Sequence, residues 1–81
     1  MFGRFLNPRW QHANPDIRLK AVEQLSPSDD EATLARLARG DSNSLVRAAA
    51  SGRITDFSLL DEIHQRDEEP SVREAASLRI M

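Results

Sequence analysis

Hydrophobic and polar positions repeat along this chain in three similar twelve-residue segments. The segments cover residues 14–25, 43–54 and 69–80 and read NPDIRLKAVEQL, NSLVRAAASGRI and EPSVREAASLRI. In each of them, apolar side chains recur three or four positions apart, which is the spacing of one face of an α-helix. Three helices with equivalent buried faces are therefore predicted, and their offsets of 29 and 26 residues indicate a repeat array.

A further apolar pattern precedes the second and third segments. Leu34 and Leu37 precede the second one, and Leu60 and Ile63 precede the third at the same spacing, with Phe57 expected on the same apolar face. The predicted unit is therefore a helix, a short turn and a second helix. Because neither helix carries enough apolar surface to be stable alone, neighbouring units must stack.

Residue types that favour helix ends mark the predicted boundaries. Asn14 and Asn43 are predicted N-caps, and Pro15 and Pro70 suit the first helical position. Thr55 or Asp56 is expected to start the helix that follows the second segment.

Two further end signals lie in the second unit. Ser28 and Glu31 match a capping box, and Gly40 is a predicted C-cap. Gly52 lies inside the second repeated segment, where a glycine costs about 1 kcal/mol relative to alanine. Either the helix ends early there or a neighbouring helix packs closely, and the small residues before Gly52 favour close packing.

The predicted architecture is an all-α domain with about two and a half helical units. An irregular aromatic segment at the N-terminus precedes the first unit, which keeps only its second helix. The boundaries are 1–13 for the aromatic segment, 14–26 for the first unit, 28–54 for the second and 55–81 for the third.

The N-terminal segment holds most of the aromatic residues of the chain. Phe2, Phe5 and Trp10 are interspersed with Arg4 and Arg9. Terminal units of repeat arrays are atypical because they cover the end of the core, and this interpretation is favoured. The alternative is an anchor that contacts a membrane surface or a partner, although one short amphipathic turn binds a membrane only weakly.

Composition narrows the function classes. Thirteen acidic residues nearly balance eleven basic ones, giving a net charge of −2, which does not favour nucleic-acid binding. There is no cysteine, no apolar run of the roughly 20 residues that a membrane span needs, and no signal-peptide pattern. A cytoplasmic location is expected. His12 and His64 have no catalytic or metal-binding motif around them, so neither an enzyme nor a cofactor is expected.

The pattern apolar–Arg–x–x–Ala in the second helix of each unit resembles the HEAT repeats. The stretch from Glu69 to Ala76, which reads EPSVREAA, is closest to the phycobilisome-lyase type of HEAT-like repeat. The resemblance covers most of residues 14–81, and the second unit departs from it at Ser44, the first at Lys20. It implies a right-handed α-solenoid and, because such arrays serve many proteins, no particular activity.

The start of the chain also resembles a proteobacterial family of unknown function, in which HEAT-like repeats precede long coiled-coil helices. That resemblance implies that the chain is the N-terminal part of a larger bacterial protein. At the other end, Ile80 and Met81 offer no polar outer face. Truncation, a partner, or self-association through the C-terminal end is therefore expected.

The HEAT resemblance also implies a structural ladder between units. Arg18, Arg47 and Arg73 would be its arginines, with Asp41 and Asp67 as their carboxylates; His12 stands where the first aspartate is expected. The predicted function is a non-catalytic protein-interaction or scaffolding module, with nucleic-acid binding as the alternative and a membrane-apposed scaffold as a weaker one. The expected partner-binding residues are Lys20, Gln24, Arg53, Glu74 and Arg79, and the N-terminal contact residues are Phe2, Phe5 and Trp10.

Overall fold

The computed structural model describes residues 8–80, and this part of the chain is all-helical, with no strand. Phe2, Phe5 and Met81, which the sequence analysis singles out, lie outside it. The α-helices are α1 (Pro15–Gln24), α2 (Glu31–Gly40), α3 (Ser44–Ser51), α4 (Phe57–Arg66) and α5 (Pro70–Ile80), and a 3₁₀ helix (Arg9–Gln11) precedes α1. The prediction of an all-α class is confirmed.

Side-chain caps start three of the helices at the predicted places. Asn14 accepts a hydrogen bond from the amide of Asp16, and Asn43 accepts from the amides at the start of α3. Asp56 does the same for α4 through the amides of Ser58 and Leu59. Each cap satisfies backbone donors that have no partner within the helix.

The predicted capping box at Ser28 is wrong. A separate turn occupies residues 27–30, in which the Ser26 hydroxyl accepts from the Asp29 amide and the Asp30 carboxylate accepts from the Ser26 amide at 2.7 Å. These local hydrogen bonds compete with helix initiation, so α2 begins only at Glu31. At its other end α2 includes Gly40, and Asp41 is the C-cap residue.

The helices form two layers. Helix α3 packs between α1 and α5, and the layer of α2 and α4 lies against them through α2–α3 and α4–α5 contacts. The core lies between the layers, and its largest fully buried apolar side chains are Val22, Leu34, Val46, Leu60 and Val72. Burying each of these contributes about 1.5–3 kcal/mol, which is how helices of eight to eleven residues become stable.

The buried face of α4 differs from the prediction. Phe57 is 64% exposed, and Leu59 is buried instead, beside Leu60 and Ile63. At 100° per residue, Phe57 lies roughly 110° around the helix from the centre of the stripe that these three residues form. It therefore points away from the core.

Trp10 lies at the N-terminal end of the array. It is partly buried and packs against the core cluster, and the guanidinium Cζ of Arg36 lies 5.9 Å from its ring centroid. This distance allows a cation–π contact that adds to the attachment of the 3₁₀ helix to α2. None of the helices in residues 8–80 has both the length and the apolar character that crossing a membrane requires.

Gly52 lies at the end of a helix, and no neighbouring helix of residues 8–80 packs closely against it. The favoured interpretation, close packing, is therefore wrong. Helix α3 stops at Ser51, and Gly52 is its exposed C-cap with φ −66° and ψ −11°. A Cβ atom at Gly52 would meet only carbonyl oxygens of its own helix, at 3.4 and 3.7 Å. Both are ordinary van der Waals distances.

We expect Gly52→Ala to leave the fold intact and to raise the free energy of unfolding by about 0.4–1 kcal/mol, because alanine restricts the unfolded chain in a conformation it can adopt without strain. Urea unfolding monitored by circular dichroism measures this change. A loss of stability would contradict the geometry at Gly52 and restore the close-packing interpretation.

Candidate functional site

A partly buried arginine joins the first unit to the second. Arg18 of α1 donates from Nε to Asp41 Oδ1 at 2.8 Å and from Nη2 to Asp41 Oδ2 at 3.0 Å. Its Nη1 donates to the His12 carbonyl oxygen at 2.8 Å. One guanidinium therefore holds the turn before its own helix and the turn of the following unit.

The same arrangement joins the second unit to the third. Arg47 of α3 donates from Nε and Nη2 to the two carboxylate oxygens of Asp67, at 2.9 and 3.3 Å. Its Nη1 donates to the Asp41 carbonyl oxygen at 2.8 Å. We call each of these arrangements a joint: Arg18 with Asp41 is the first joint, and Arg47 with Asp67 is the second.

Each joint also fixes the start of the next helix. The Asp41 carboxylate accepts from the Asn43 amide at 2.9 Å, and the Asp67 carboxylate accepts from the Glu69 amide at 2.9 Å. Both amides lie in the turn between the two helices of a unit. Each carboxylate thus accepts hydrogen bonds from a turn amide and from an arginine. These bonds offset the cost of removing the charged group from water.

The joints are largely shielded from solvent. In the first joint the arginine side chain is 12% exposed and the aspartate 6%, and in the second joint the values are 13% and 8%. Burial pushes the pKa of Asp67 upward, but hydrogen bonds from Arg47 and from the Glu69 amide, with the positive charges of Arg47 and Arg73, hold it below its ordinary value. The hydrogen bond to Asp67 in turn raises the pKa of Arg47.

The array differs at its two ends. At the N-terminal end His12 replaces the expected aspartate, and its Nδ1 accepts from the Asn14 amide at 2.9 Å, the bond that the carboxylates make elsewhere. At the other end, Nη1 of Arg73 donates to the Asp67 carbonyl oxygen at 2.7 Å. Within residues 8–80, Nε and Nη2 of Arg73 have no carboxylate partner.

A second pair of arginines binds carbonyl groups of the preceding unit, one at the C-cap of α1 and one in the segment after α3, and sequence reasoning missed this role. Arg53 donates from Nε and Nη2 to the Leu25 carbonyl oxygen, with an Nε distance of 3.1 Å. Arg79 makes the equivalent bonds to the Ile54 carbonyl oxygen, at 3.3 and 3.2 Å. The only sequence signal was that the two arginines occupy the same repeat position, where the first unit has Gln24.

The other expected contact residues are on the surface. Lys20, Gln24 and Glu74 are exposed, and within the described part of the chain their side chains form no hydrogen bond or ion pair. They are therefore available for contacts with a partner. Arg53 and Arg79, in contrast, already bind carbonyl oxygens of the preceding unit.

The surface beside the joints has mixed charge. A shallow groove is lined by Arg39, Arg66 and Glu68 together with both joint aspartates and Arg47. Arg39 also pairs with Glu62 of α4 at 3.3 Å, in a bridge whose two side chains are 55% and 45% exposed. Such an exposed pair contributes at most about 1 kcal/mol. The groove presents no continuous positive field to a phosphate backbone.

Each histidine ring contacts a backbone group, the Asn14 amide for His12 and the Arg73 carbonyl oxygen for His64. His64 Nδ1 lies 3.2 Å from the Arg73 carbonyl oxygen, which is a contact between α4 and α5. No group of three His, Asp or Glu side chains that could hold a metal ion occurs within residues 8–80. Within the described residues, the interactions that recur are thus the joints and the contacts of Arg53 and Arg79 with carbonyl oxygens of the preceding unit.

No protein-family model matches the sequence, and neither curated proteins nor solved structures show a match. The geometry of this chain therefore carries the functional argument.

We expect Arg47→Met to destabilise the protein more than Arg73→Met. The first substitution leaves the largely buried Asp67 carboxylate without the arginine that pairs with it, a loss on the order of 3 kcal/mol. The second removes one hydrogen bond from a partly exposed charged donor to a carbonyl group, about 1.5 kcal/mol. Urea denaturation of both variants measures the difference, and equal losses would show that the second joint does not stabilise the stack.

We expect Asp67→Asn to lower the free energy of unfolding by about 2 kcal/mol near neutral pH, because it removes a charged hydrogen-bond acceptor. The pKa of Asp67 is lower in the folded protein, so its stabilisation is present above the ordinary value of 3.8 and disappears as pH falls through the folded value. The difference between wild type and Asp67→Asn should therefore shrink at acidic pH. Asp61→Asn, an exposed change in α4, is the control, and a pH-independent difference would contradict the assignment.

Proposed function

We propose that this chain is a non-catalytic protein-interaction or scaffolding module, built as a right-handed HEAT-like solenoid. The observation that carries the proposal is the repetition of the same joint between successive units, with Arg18 and Asp41 in one and Arg47 and Asp67 in the other. A joint that recurs along the chain builds an array, and arrays of this kind provide extended surfaces lined by one helix of each unit.

The shape of the molecule supports this proposal. The described residues extend over 43 × 23 × 16 Å, and α1, α3 and α5 lie side by side along the array. Their exposed residues, including Lys20, Gln24 and Glu74, line this surface with mixed charges. A surface with charges of both signs favours a protein partner of complementary pattern, because electrostatic complementarity gives specificity between proteins.

The wider proposal is that the module belongs to a larger bacterial protein and acts in the cytoplasm. Nucleic-acid binding is the alternative function, and a membrane-apposed scaffold that uses Trp10 with Phe2 and Phe5 is a further one. The mixed charge of the groove beside the joints and the packing of Trp10 on the core both favour a protein partner over these alternatives.

We expect the immobilised chain to retain a protein partner from a lysate of its host, and Lys20→Glu combined with Glu74→Lys to abolish that retention. The double substitution conserves net charge and changes only exposed residues, so equal melting temperatures would show that the fold is intact. Mass spectrometry identifies the retained proteins.

Two outcomes would contradict the proposed function, and a third would contradict the surface assigned to it. Retention that disappears on nuclease treatment would favour nucleic-acid binding, which a gel shift at about 50 mM salt then detects, because phosphate contacts are strongest there. Co-sedimentation with anionic lipid vesicles would favour the membrane scaffold. Equal retention by the wild type and the double variant would exclude this surface.

A further inference from the structure

Helix α5 repeats the sequence of a surface that is buried in the middle of the array. In the second unit, Arg47, Ser51 and Ile54 follow one another at i, i+4 and i+7. Arg47 is held in the second joint, Ser51 is fully buried, and Ile54 is 3% exposed. At this place α3 has α1 on one side and α5 on the other.

The equivalent residues of α5 are Arg73, Ser77 and Ile80, which have the same identities at the same spacing. In α5 these residues at i, i+4 and i+7 share one face of the helix, which continues through Ile80, whereas α3 ends at Ser51 and Ile54 follows in the connecting segment. All three are only partly buried, because α5 packs on α3 and no helix of the described residues lies on its other side. We call these three residues the open α5 face.

Arg73 shows which chemical group this face accepts. Its Nη1 donates a hydrogen bond to the Asp67 carbonyl oxygen. Nη1 of Arg47 donates to the Asp41 carbonyl oxygen in the same way. Its Nε and Nη2, which hold a carboxylate in both joints, have none within residues 8–80. They reach solvent, since no buried polar side-chain atom lacks a partner in this part of the chain. The planar Nε–Nη2 edge of a guanidinium matches the two oxygens of a carboxylate.

A second copy of this chain does not fit the open α5 face in a head-to-tail arrangement. At its N-terminal end His12 stands in place of the joint aspartate, and the acceptor nitrogen of the His12 ring is already used by the Asn14 amide. Gln24 occupies the repeat position at which Arg53 and Arg79 donate hydrogen bonds to carbonyl oxygens of the preceding unit. The N-terminal end therefore lacks both groups that join one unit to the unit before it.

Helix α4 limits the shape of the occupant. Ala38 of α2 is fully buried, and its counterpart in α4 is the partly exposed His64. Ala35, which packs against the core, has the exposed Asp61 as its counterpart. His64 already contacts the Arg73 carbonyl oxygen through its Nδ1 atom. A further hairpin stacked as inside the array would place the exposed Asp61 carboxylate at the position of Ala35, and burying that carboxylate is costly. The occupant therefore covers α5 and leaves α4 in water.

We infer that the open α5 face binds a single helix of a partner protein, and that an aspartate at the start of this helix takes the position on Arg73 that Asp67 takes on Arg47. The inference rests on the proposed protein-interaction function and specifies its chemistry. The helix also brings an apolar side chain to Ile80, and a small or apolar one to Ser77. The protein itself contains an example of such a ligand. In residues 67–80, Asp67 pairs with Arg47 and the following helix α5 packs on α3.

The test uses the full chain carrying a second copy of residues 67–80, joined to Met81 by a flexible linker of about ten Gly and Ser residues, which spans roughly 17 Å. Tethering raises the effective concentration of the copy to the millimolar range. In the matched control the aspartate copied from Asp67 is asparagine. Nuclear magnetic resonance spectra report on the backbone of the open α5 face and on the Nε–H group of Arg73.

We expect the copy with aspartate to shift the resonances of Arg73, Ser77 and Ile80 and to slow exchange of the Arg73 Nε–H proton at least tenfold. The copy with asparagine should produce at most small changes, and Arg73→Met should make the two copies equivalent. Arg9→Met, which removes an exposed arginine at the other end of the molecule, should leave the difference between the copies unchanged.

The inference is overturned if the two copies behave alike in the wild type, or if the shifts appear at Arg47 and not at Arg73, which would mean that the copy exchanges with the protein's own α5. These results would leave the proposed function standing, because retention of a partner through the surface around Lys20 and Glu74 is measured separately. Conversely, a positive result here without partner retention would leave a competent site but contradict the broader proposal.

Discussion

The partly buried pairing of an arginine with the turn aspartate of the following unit is the interaction on which the rest of the structure depends. The helices are eight to eleven residues long, too short to be stable alone, so each one needs its neighbours at a defined distance. Arg47 sets that distance by holding the Asp41 carbonyl of its own unit and the Asp67 carboxylate of the next. Asp67 in turn holds the amide of Glu69, so one carboxylate orients both the unit contact and the following helix.

The ends of the array acquire their character from the same interaction. At the N-terminal end, His12 keeps the local bond to the Asn14 amide but has no carboxylate to offer a preceding arginine. At the other end, Arg73 keeps its bond to the Asp67 carbonyl while the carboxylate-binding edge of its guanidinium faces solvent. Within residues 8–80 the two ends of the array therefore differ: one has a histidine in place of the joint aspartate, and the other has an arginine whose Nε and Nη2 hold no carboxylate.

Helix starts that depend on a single capping side chain were predictable from the sequence. Helix ends at which two local interactions compete were not. The caps at Asn14, Asn43 and Asp56 follow from one side chain and the amides two or three residues later, so nothing distant can override them. The expected cap at Ser28 failed because Ser26 and Asp30 close a turn of their own. The sequence around Gly52 is ambiguous, because an early helix end and close packing both favour small residues.

The sequence by itself determined the all-helical class, the helix stripes and the repeat, because hydrophobic period and capping are properties of neighbouring residues. It placed the arginines and aspartates of the joints in equivalent positions, but not the atoms that they contact. Only the tertiary structure decided that Arg53 and Arg79 cap the ends of preceding units through the carbonyls of Leu25 and Ile54. Every residue carries a carbonyl group, so the sequence does not mark which one an arginine will bind, and packing alone brings the two together.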